Sequence, residues 1–338
     1  MRDVAHRAGV SIKTVSRVVN AEADIAEVTR QRVMAAIEAL GYQPNAIARS
    51  LVSRRTYILG VLTADFNDYT HARILEGAEA EAREQGYLMV IGSAEHSPSG
   101  EPLRSPLLGQ RRFEGLFVVY HGTDQDTHEI FEHISPNLPI VTIGYASTRK
   151  NTIVIGVTNH EGAYAATEHL LKLGHQRIAH ITGPANVYEC QERRQGYVEA
   201  LQAAAITPDE RWVTSGDWSD ASGYQAATAL LERHLGFTAL FVQNDRMALG
   251  AMRALYDCGL QIPQDVAVVG FDDIPAAPYF TPPLTTVYQP TYDLGRIGIR
   301  LLINWINNQP SPPDPVRLPT KLVIRRSCGT SVTAGLPA

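Results

Sequence analysis

The sequence predicts a small all-α head followed by an α/β body of two lobes. Three observations carry this. The first fifty residues hold three short helical patterns. From Tyr57 onward, apolar runs alternate with amphipathic helical stretches, the pattern of parallel sheets covered on both faces. The charge divides at the same place. Residues 1–56 carry nine Lys/Arg against five Asp/Glu, a surplus of +4, so the remainder carries −9 of the net −5. At ~150 residues per domain, 338 residues allow two to three domains.

With 44% hydrophobic and 19% charged residues, the chain can bury a core and is not disordered by composition. Cys190, Cys258 and Cys328 have neither metal nor redox spacing, and an odd count suits a reducing compartment. The polar N-terminus does not read as a signal peptide, and no apolar run approaches the ~18 residues of a membrane span. A cytoplasmic protein without metal, cofactor or membrane contact is expected.

In the head, Val4, Ala5 and Ala8 form a short apolar stripe that Gly9 ends. Ser11 is placed to cap a helix from Ile12 to Asn20. Val15, Val18 and Val19 lie at i, i+3, i+4 and face inward. Ile12, Lys13, Ser16, Arg17 and Asn20 form the opposite face, mostly donors long enough to reach bases or phosphates. Helix, glycine turn and helix with a polar, basic face make a helix-turn-helix pattern, whose second helix fits a major groove about 12 Å wide. A third helix is expected over 26–40, with Val33, Ala36, Ile37 and Leu40 on its inner face and Gly41 as its C-terminal cap. Pro44 then stops the chain, and Asn45 opens a hinge helix over about 45–53, too short to stand alone in water.

In the body, strands are expected at 58–62, 88–91, 115–119, 140–143, 178–182, 239–242, 266–271 and 321–324, with a short one near 212–214. Between two of them, the 219–235 helix should present Tyr224, Ala227, Leu230, Leu231 and Leu235 to the core. About 270 residues exceed one open sheet, hence two lobes. Ligands of such sheets sit beyond the carboxyl ends of the strands. Asp217-Trp218, Asn244-Asp245 and Asp272-Asp273 stand there, with Arg193 a little beyond another. An Arg, an Asn, an Asp and a Trp on one cleft suit a sugar: polar groups take vicinal hydroxyls and the indole covers the apolar ring face. Read singly, Asp245 is as well explained as a helix cap and Trp218 as core.

Asp3-Val4-Ala5, Ala8-Gly9-Val10-Ser11, Thr14-Val15-Ser16-Arg17-Val18-Val19-Asn20, Gly41-Tyr42-Gln43-Pro44-Asn45 and Ala48-Arg49-Ser50-Leu51 closely resemble the lactose-repressor (LacI/GalR) family of transcription regulators. The likeness continues through Leu173-Gly174-His175, Gly183-Pro184, Arg193, Gly216-Asp217-Trp218-Ser219, Asn244-Asp245, Gly270-Phe271-Asp272-Asp273 and Pro283-Leu284-Thr285, covering about residues 1–330. It implies a periplasmic-binding-protein-like body of two Rossmann-like lobes. The head and hinge would be 1–56. Lobe 1 would be about 57–157 and 288–318, lobe 2 about 158–287 and 319–330, with a tail at 331–338.

The resemblance further implies that Ile12, Lys13 and Arg17 read bases, with Ser11, Ser16, Asn20 and Thr29 on bases or backbone. Tyr42, Asn45 and Ala48 complete the DNA-facing set, and Leu51 wedges into the minor groove. Arg193, Trp218, Asn244 and Asp272 align with effector contacts, joined by Gln289 from the crossover. Val119 and Gly144 stand where a lactose-binding member offers polar groups, and Thr291 replaces an aromatic. His71, Arg73, Tyr120 and Tyr145 are the candidates to supply what is missing.

Two departures concern the head and the assembly. Only Met1-Arg2 precede Asp3, so either the first helix lacks its usual cap or the true start lies upstream. Pro98, Pro102 and Pro106 interrupt a segment that is usually helical and near the dimer interface. Without a leucine-rich tail, a homodimer is expected. The expected partners are operator DNA and a mono- or disaccharide, β-galactosides and β-glucosides included. No phosphate loop, HExxH or GxSxG is present, so an enzyme is not expected. A sugar-transport receptor or sugar-acting enzyme is the alternative for the body alone; the basic head argues against both.

Overall fold

The computed structural model describes residues 1–19, 24–42, 55–63, 66, 68–93, 113–120, 134–144, 151–309 and 315–329. The expected hinge helix over about 45–53, with Asn45, Ala48 and Leu51, lies outside the described residues. So do Asn20, Tyr145, Pro98, Pro102, Pro106 and the 331–338 tail. The chain divides into two compact units, Met1–Tyr57 and Ile58–Ala338.

The first unit contains α1 (Arg2–Ala8), α2 (Ile12–Val19) and α3 (Glu27–Ala39). Met1 is the N-cap of α1, and no side chain caps that end. Ser11 caps α2: its Oγ accepts the Thr14 N–H at 3.1 Å. Val4, Ala5, Ala8, Val15, Val18, Val33 and Ala36 form the core, with Val19, Ile37 and Tyr42 partly buried around it. Seven such residues make a very small core, marginal on its own. Leu40, expected inside, is 41% exposed. The reason is the helix end: Gly41 turns left-handed at φ +55°, Gly41 N–H donates to Glu38 and Tyr42 N–H to Ile37. That paired closure carries the chain off the inner face at residue 40.

The second unit holds two six-stranded sheets. The first is ordered β11-β5-β4-β3-β1-β2 and the second β12-β10-β9-β8-β6-β7. Lobe 1 contains β1 (Ile58–Thr63), β2 (Leu88–Ser93), β3 (Gly115–Val119), β4 (Ile140–Ile143), β5 (Thr152–Val157) and β11 (Val316–Leu318). Lobe 2 contains β6 (Ile178–Thr182), β7 (Val213–Ser215), β8 (Ala239–Val242), β9 (Ala267–Asp272), β10 (Thr285–Tyr288) and β12 (Lys321–Val323). All pairings are parallel except β10 with β12. In both sheets the earliest strand lies between the second and the third, so each has a switch point where a ligand crevice opens. The shared order is a structural repeat that the sequence does not display.

Lobe 1 is covered by α4 (Tyr69–Glu84) packed on α9 (Thr291–Ile306). Lobe 2 is covered by α5 (Asn159–Lys172) on α6 (Tyr188–Ala203), and by α7 (Asp220–Glu232) on α8 (Asp245–Asp257). Strand centres such as Leu116–Val119 and Leu240–Val242 are fully buried. The inner face of α7 is Gly223, Ala226, Ala227 and Leu230. Tyr224, expected there, is exposed and donates its hydroxyl to Asp257 at 3.3 Å. Gly223 packs directly on the Met247 backbone, leaving no room for a ring on that face. Among the described residues, no helix is long and apolar enough to cross a membrane.

Candidate functional site

A cavity of about 260 Å³ opens where the carboxyl ends of the two sheets face each other. The strand that precedes each lining residue explains its position. Asp68 and His71 follow β1, Gly144 follows β4 and Asn159 follows β5. Trp218 follows β7, Asn244 follows β8, Asp272 ends β9 and Gln289 follows β10. All of them line the cavity.

Arg193 is the centre of this arrangement. It sits on α6 and is buried. Its Nε donates to Asn159 Oδ1 at 2.8 Å and its Nη1 to the Gln243 carbonyl at 2.5 Å. The guanidinium lies 3.8 Å over the Phe271 ring and 5.8 Å from the Trp218 ring. Such stacking fixes its plane while leaving one edge toward the cavity. Gln243 is itself locked: its Nε2 donates to the Cys190 carbonyl and meets His180 Nε2 at 3.0 Å, and its Oε1 accepts the Gly183 N–H. His180 is stacked between Tyr197 and Phe241, and burial pushes its pKa down to about 3. It is therefore a neutral scaffold histidine.

Asp272 accepts the Gln289 amide at 2.6 Å and stands 3.9 Å from Arg193 Nη1. Burial raises its pKa well above the usual carboxylate range; the Arg193 charge opposes that rise and Asp245 adds to it. Its backbone is left-handed at φ +121°, as is that of Trp218 at φ +76°. Both are non-glycine residues in a backbone region that L side chains rarely adopt. Asn244 caps α8 through the Met247 N–H and donates to the Trp218 carbonyl at 3.1 Å, so one side chain fixes helix and indole together.

Asp245 is neither ligand-facing nor the cap. It is buried, accepting the Thr286 hydroxyl at 2.5 Å and the Ile274 N–H at 2.9 Å.

Of the sequence candidates, Arg193, Trp218, Asn244, Asp272, Gln289 and His71 meet at this cavity. Two do not. Arg73 is turned to Glu76 and lies 5.0 Å from the Tyr292 ring, because it is two residues along α4 from His71 and so points elsewhere. Tyr120 packs on the apolar cluster of Leu62, Leu116, Val118, Ile134 and Ile140. Sequence reasoning missed Asp68, Asn159, Glu189, Glu192 and Arg317, all of which line the cavity. Asp68 and Asn159 follow strand ends and were open to the same rule that found Asn244. Glu189 lies one helical turn before Arg193, and that spacing was a usable signal. Arg317 sits in a three-residue strand with no such signal. Among the described residues, no group of His, Cys, Asp or Glu is placed to hold a metal ion.

In the first unit, α2 presents Ser11, Ile12 and Lys13 to solvent, with Ile12 46% exposed. Ser16 and Arg17 are half-buried, and Arg17 Nη2 reaches the Asp24 carbonyl at 3.4 Å. Thr29 is half-buried in α3, and Tyr42 rests against the small core.

Residues 1–45 match the family described as bacterial regulatory proteins, lacI family, and residues 167–328 match a periplasmic binding protein-like domain. The ribose operon repressor of Escherichia coli K12 is 36% identical over 328 residues, covering 97% of this chain and 99% of that protein. The HTH-type transcriptional repressor PurR of Edwardsiella ictaluri is 35% identical over 328 residues, covering 97% and 96%. Among solved structures, the lac repressor dimer bound to operator and the anti-inducer ONPF has a TM-score of 0.83 at 32% identity, covering 96% of this chain and 98% of that one. The transcriptional regulator CelR–cellobiose complex has a TM-score of 0.74 at 34% identity, with the same coverage.

Proposed function

The chain belongs to the lacI family of bacterial regulatory proteins, and from that premise we propose that it is a DNA-binding transcriptional repressor released from its operator by a sugar held in the cleft of the body. The observation that carries the sugar half is the convergence of Arg193, Asn244, Asp272 and Gln289 with the Trp218 indole on one cavity. A donor-rich guanidinium beside a carboxylate takes vicinal hydroxyls, and an indole takes the apolar face of a ring. The ribose operon repressor and the cellobiose-bound regulator among the relatives support the same reading.

On the DNA side, Ile12, Lys13, Ser16 and Arg17 read the major groove along α2, with Asn20 at its end. Ser11, Thr29 and Tyr42 lie beside bases or backbone. Asn45, Ala48 and Leu51 belong to the hinge, where Leu51 wedges open a minor-groove step. Two copies in a cytoplasmic homodimer place two heads on a pseudo-palindromic operator. Release requires the sugar to bind one arrangement of the lobes better than the other; equal affinity would shift nothing.

A purine is the second reading, favoured by 35% identity to a PurR repressor. A thermal-shift screen of the full-length protein with pentoses, hexoses, disaccharides and purine bases decides between them. A sugar is expected to raise the melting temperature and a purine to leave it unchanged. A rise with a purine alone would replace the sugar reading.

A further inference from the structure

Gly144 closes the lobe 1 side of the cavity, just after β4, with φ +77°. A side chain there would be strained by the left-handed backbone. It would also have no space: Oε1 of Glu189, from α6 of lobe 2, occupies the place a Cβ would take. Glu189 is thus a buried carboxylate that crosses from lobe 2 onto the lobe 1 wall. It lies four residues before Arg193, on the same face of α6. The neighbouring Tyr188 makes a second crossing, with the Arg317 guanidinium of β11 5.9 Å from its ring. The first turn of a lobe 2 helix thus adds a carboxylate to the lobe 1 wall of the cleft.

Resting on the reading of the cleft as a sugar site, we infer that Glu189 is the specificity-determining residue at its lobe 1 end: it limits the effector to a single ring. Two arguments lead there. The space against Gly144 is filled by the Glu189 carboxylate, and the remaining cavity of about 260 Å³ lies below the ~300–1,000 Å³ of drug-sized sites. A carboxylate on the cavity wall can accept hydrogen bonds from the hydroxyls of a sugar ring.

The test is calorimetric titration of the full-length protein with pentoses and hexoses, and with cellobiose and lactose. The wild type binds a monosaccharide and neither disaccharide. Glu189→Ala binds that monosaccharide at least tenfold more weakly and gains measurable disaccharide binding. Glu189→Gln, which keeps the bulk, still excludes disaccharides and remains informative if the alanine variant does not fold. A wild type that binds a disaccharide as tightly as its monosaccharide overturns the size limit while leaving the sugar reading intact. So does a folded Glu189→Ala variant with an unchanged ligand profile, or a glutamine variant that admits disaccharides. A wild type that binds no sugar overturns both.

Discussion

Arg193 and Asp272 face each other at 3.9 Å in the cleft, both less than a tenth exposed, and neither makes its shortest bond to the other. Arg193 bonds Asn159 and the Gln243 carbonyl, and Asp272 bonds Gln289. Each is held in place by a third group, leaving the pair able to share a hydroxyl that accepts from one and donates to the other. Arg193→Ala is expected to weaken sugar binding by about 1.5–3 kcal/mol, the usual loss for a hydrogen bond to a charged group. Calorimetry on the folded variant checks this, and unchanged affinity would remove Arg193 from the site.

Asp245 makes the body's stability depend on pH. Burial raises its pKa from 3.8 to about 7. The folded state then holds the proton more tightly than the unfolded chain. Its contribution is full below about pH 4 and is lost as pH rises toward 7. Relative to Asp245→Asn, wild-type stability should fall by up to about 1.4 kcal/mol per pH unit across that window. Urea denaturation of both proteins between pH 4 and 7.5 measures it; a constant difference would contradict a protonated buried carboxyl.

Glu81 behaves in the opposite sense. It is 1% exposed between α4 and α9, bonded by Arg296 at 2.7 Å and Arg300 at 2.8 Å. The Arg300 hydrogen bond leads in holding its pKa down to about 2, against 4.5 ordinarily. That stabilisation is present above about pH 4.5 and is lost as pH falls toward 2. Glu81→Gln should destabilise lobe 1 at neutral pH by on the order of 2 kcal/mol, discounted because Arg300 is half exposed to water. The gap to wild type in urea should close on acidification.

Arg17 carries the prediction for the head. Arg17→Ala should weaken specific operator binding by ~1–3 kcal/mol and relax discrimination between operator variants. Binding should also fall steeply with salt, as phosphate contacts release counterions. Gel shifts across operator variants and salt concentrations read both effects.

Much of this was legible in the sequence because it rests on local rules. Ser11 caps α2 as a hydroxyl before an apolar stripe should, and Gly41 ends α3 as a glycine after one should. Asn244 and Asp272 were found because they follow strand ends. Three strands were not foreseen. β11 is three residues long and β10 follows a proline pair, so neither builds a local pattern; both are fixed by their neighbours, β5 and β9. β5 was apolar enough to be read, and was passed over. The lobe 1 side of the cleft was the harder part. Of the lobe 1 candidates His71, Arg73, Tyr120 and Tyr145, His71 lines the cavity, whereas the carboxylate against Gly144 comes from lobe 2. A contact across 45 residues of chain and between two sheets leaves no spacing to read.

Control of the grip on DNA by a sugar in the cleft is read by one coupling measurement. The full-length protein is titrated onto a fluorescent operator duplex selected from random sequence, with and without saturating monosaccharide, for wild type and Asp272→Asn. Sugar is expected to weaken wild-type operator affinity by about 5–150-fold, the usual range of allosteric coupling. Asp272→Asn should match wild type without sugar and not respond to it. An operator affinity that sugar leaves unchanged in the wild type, or changes equally in the variant, would contradict the account.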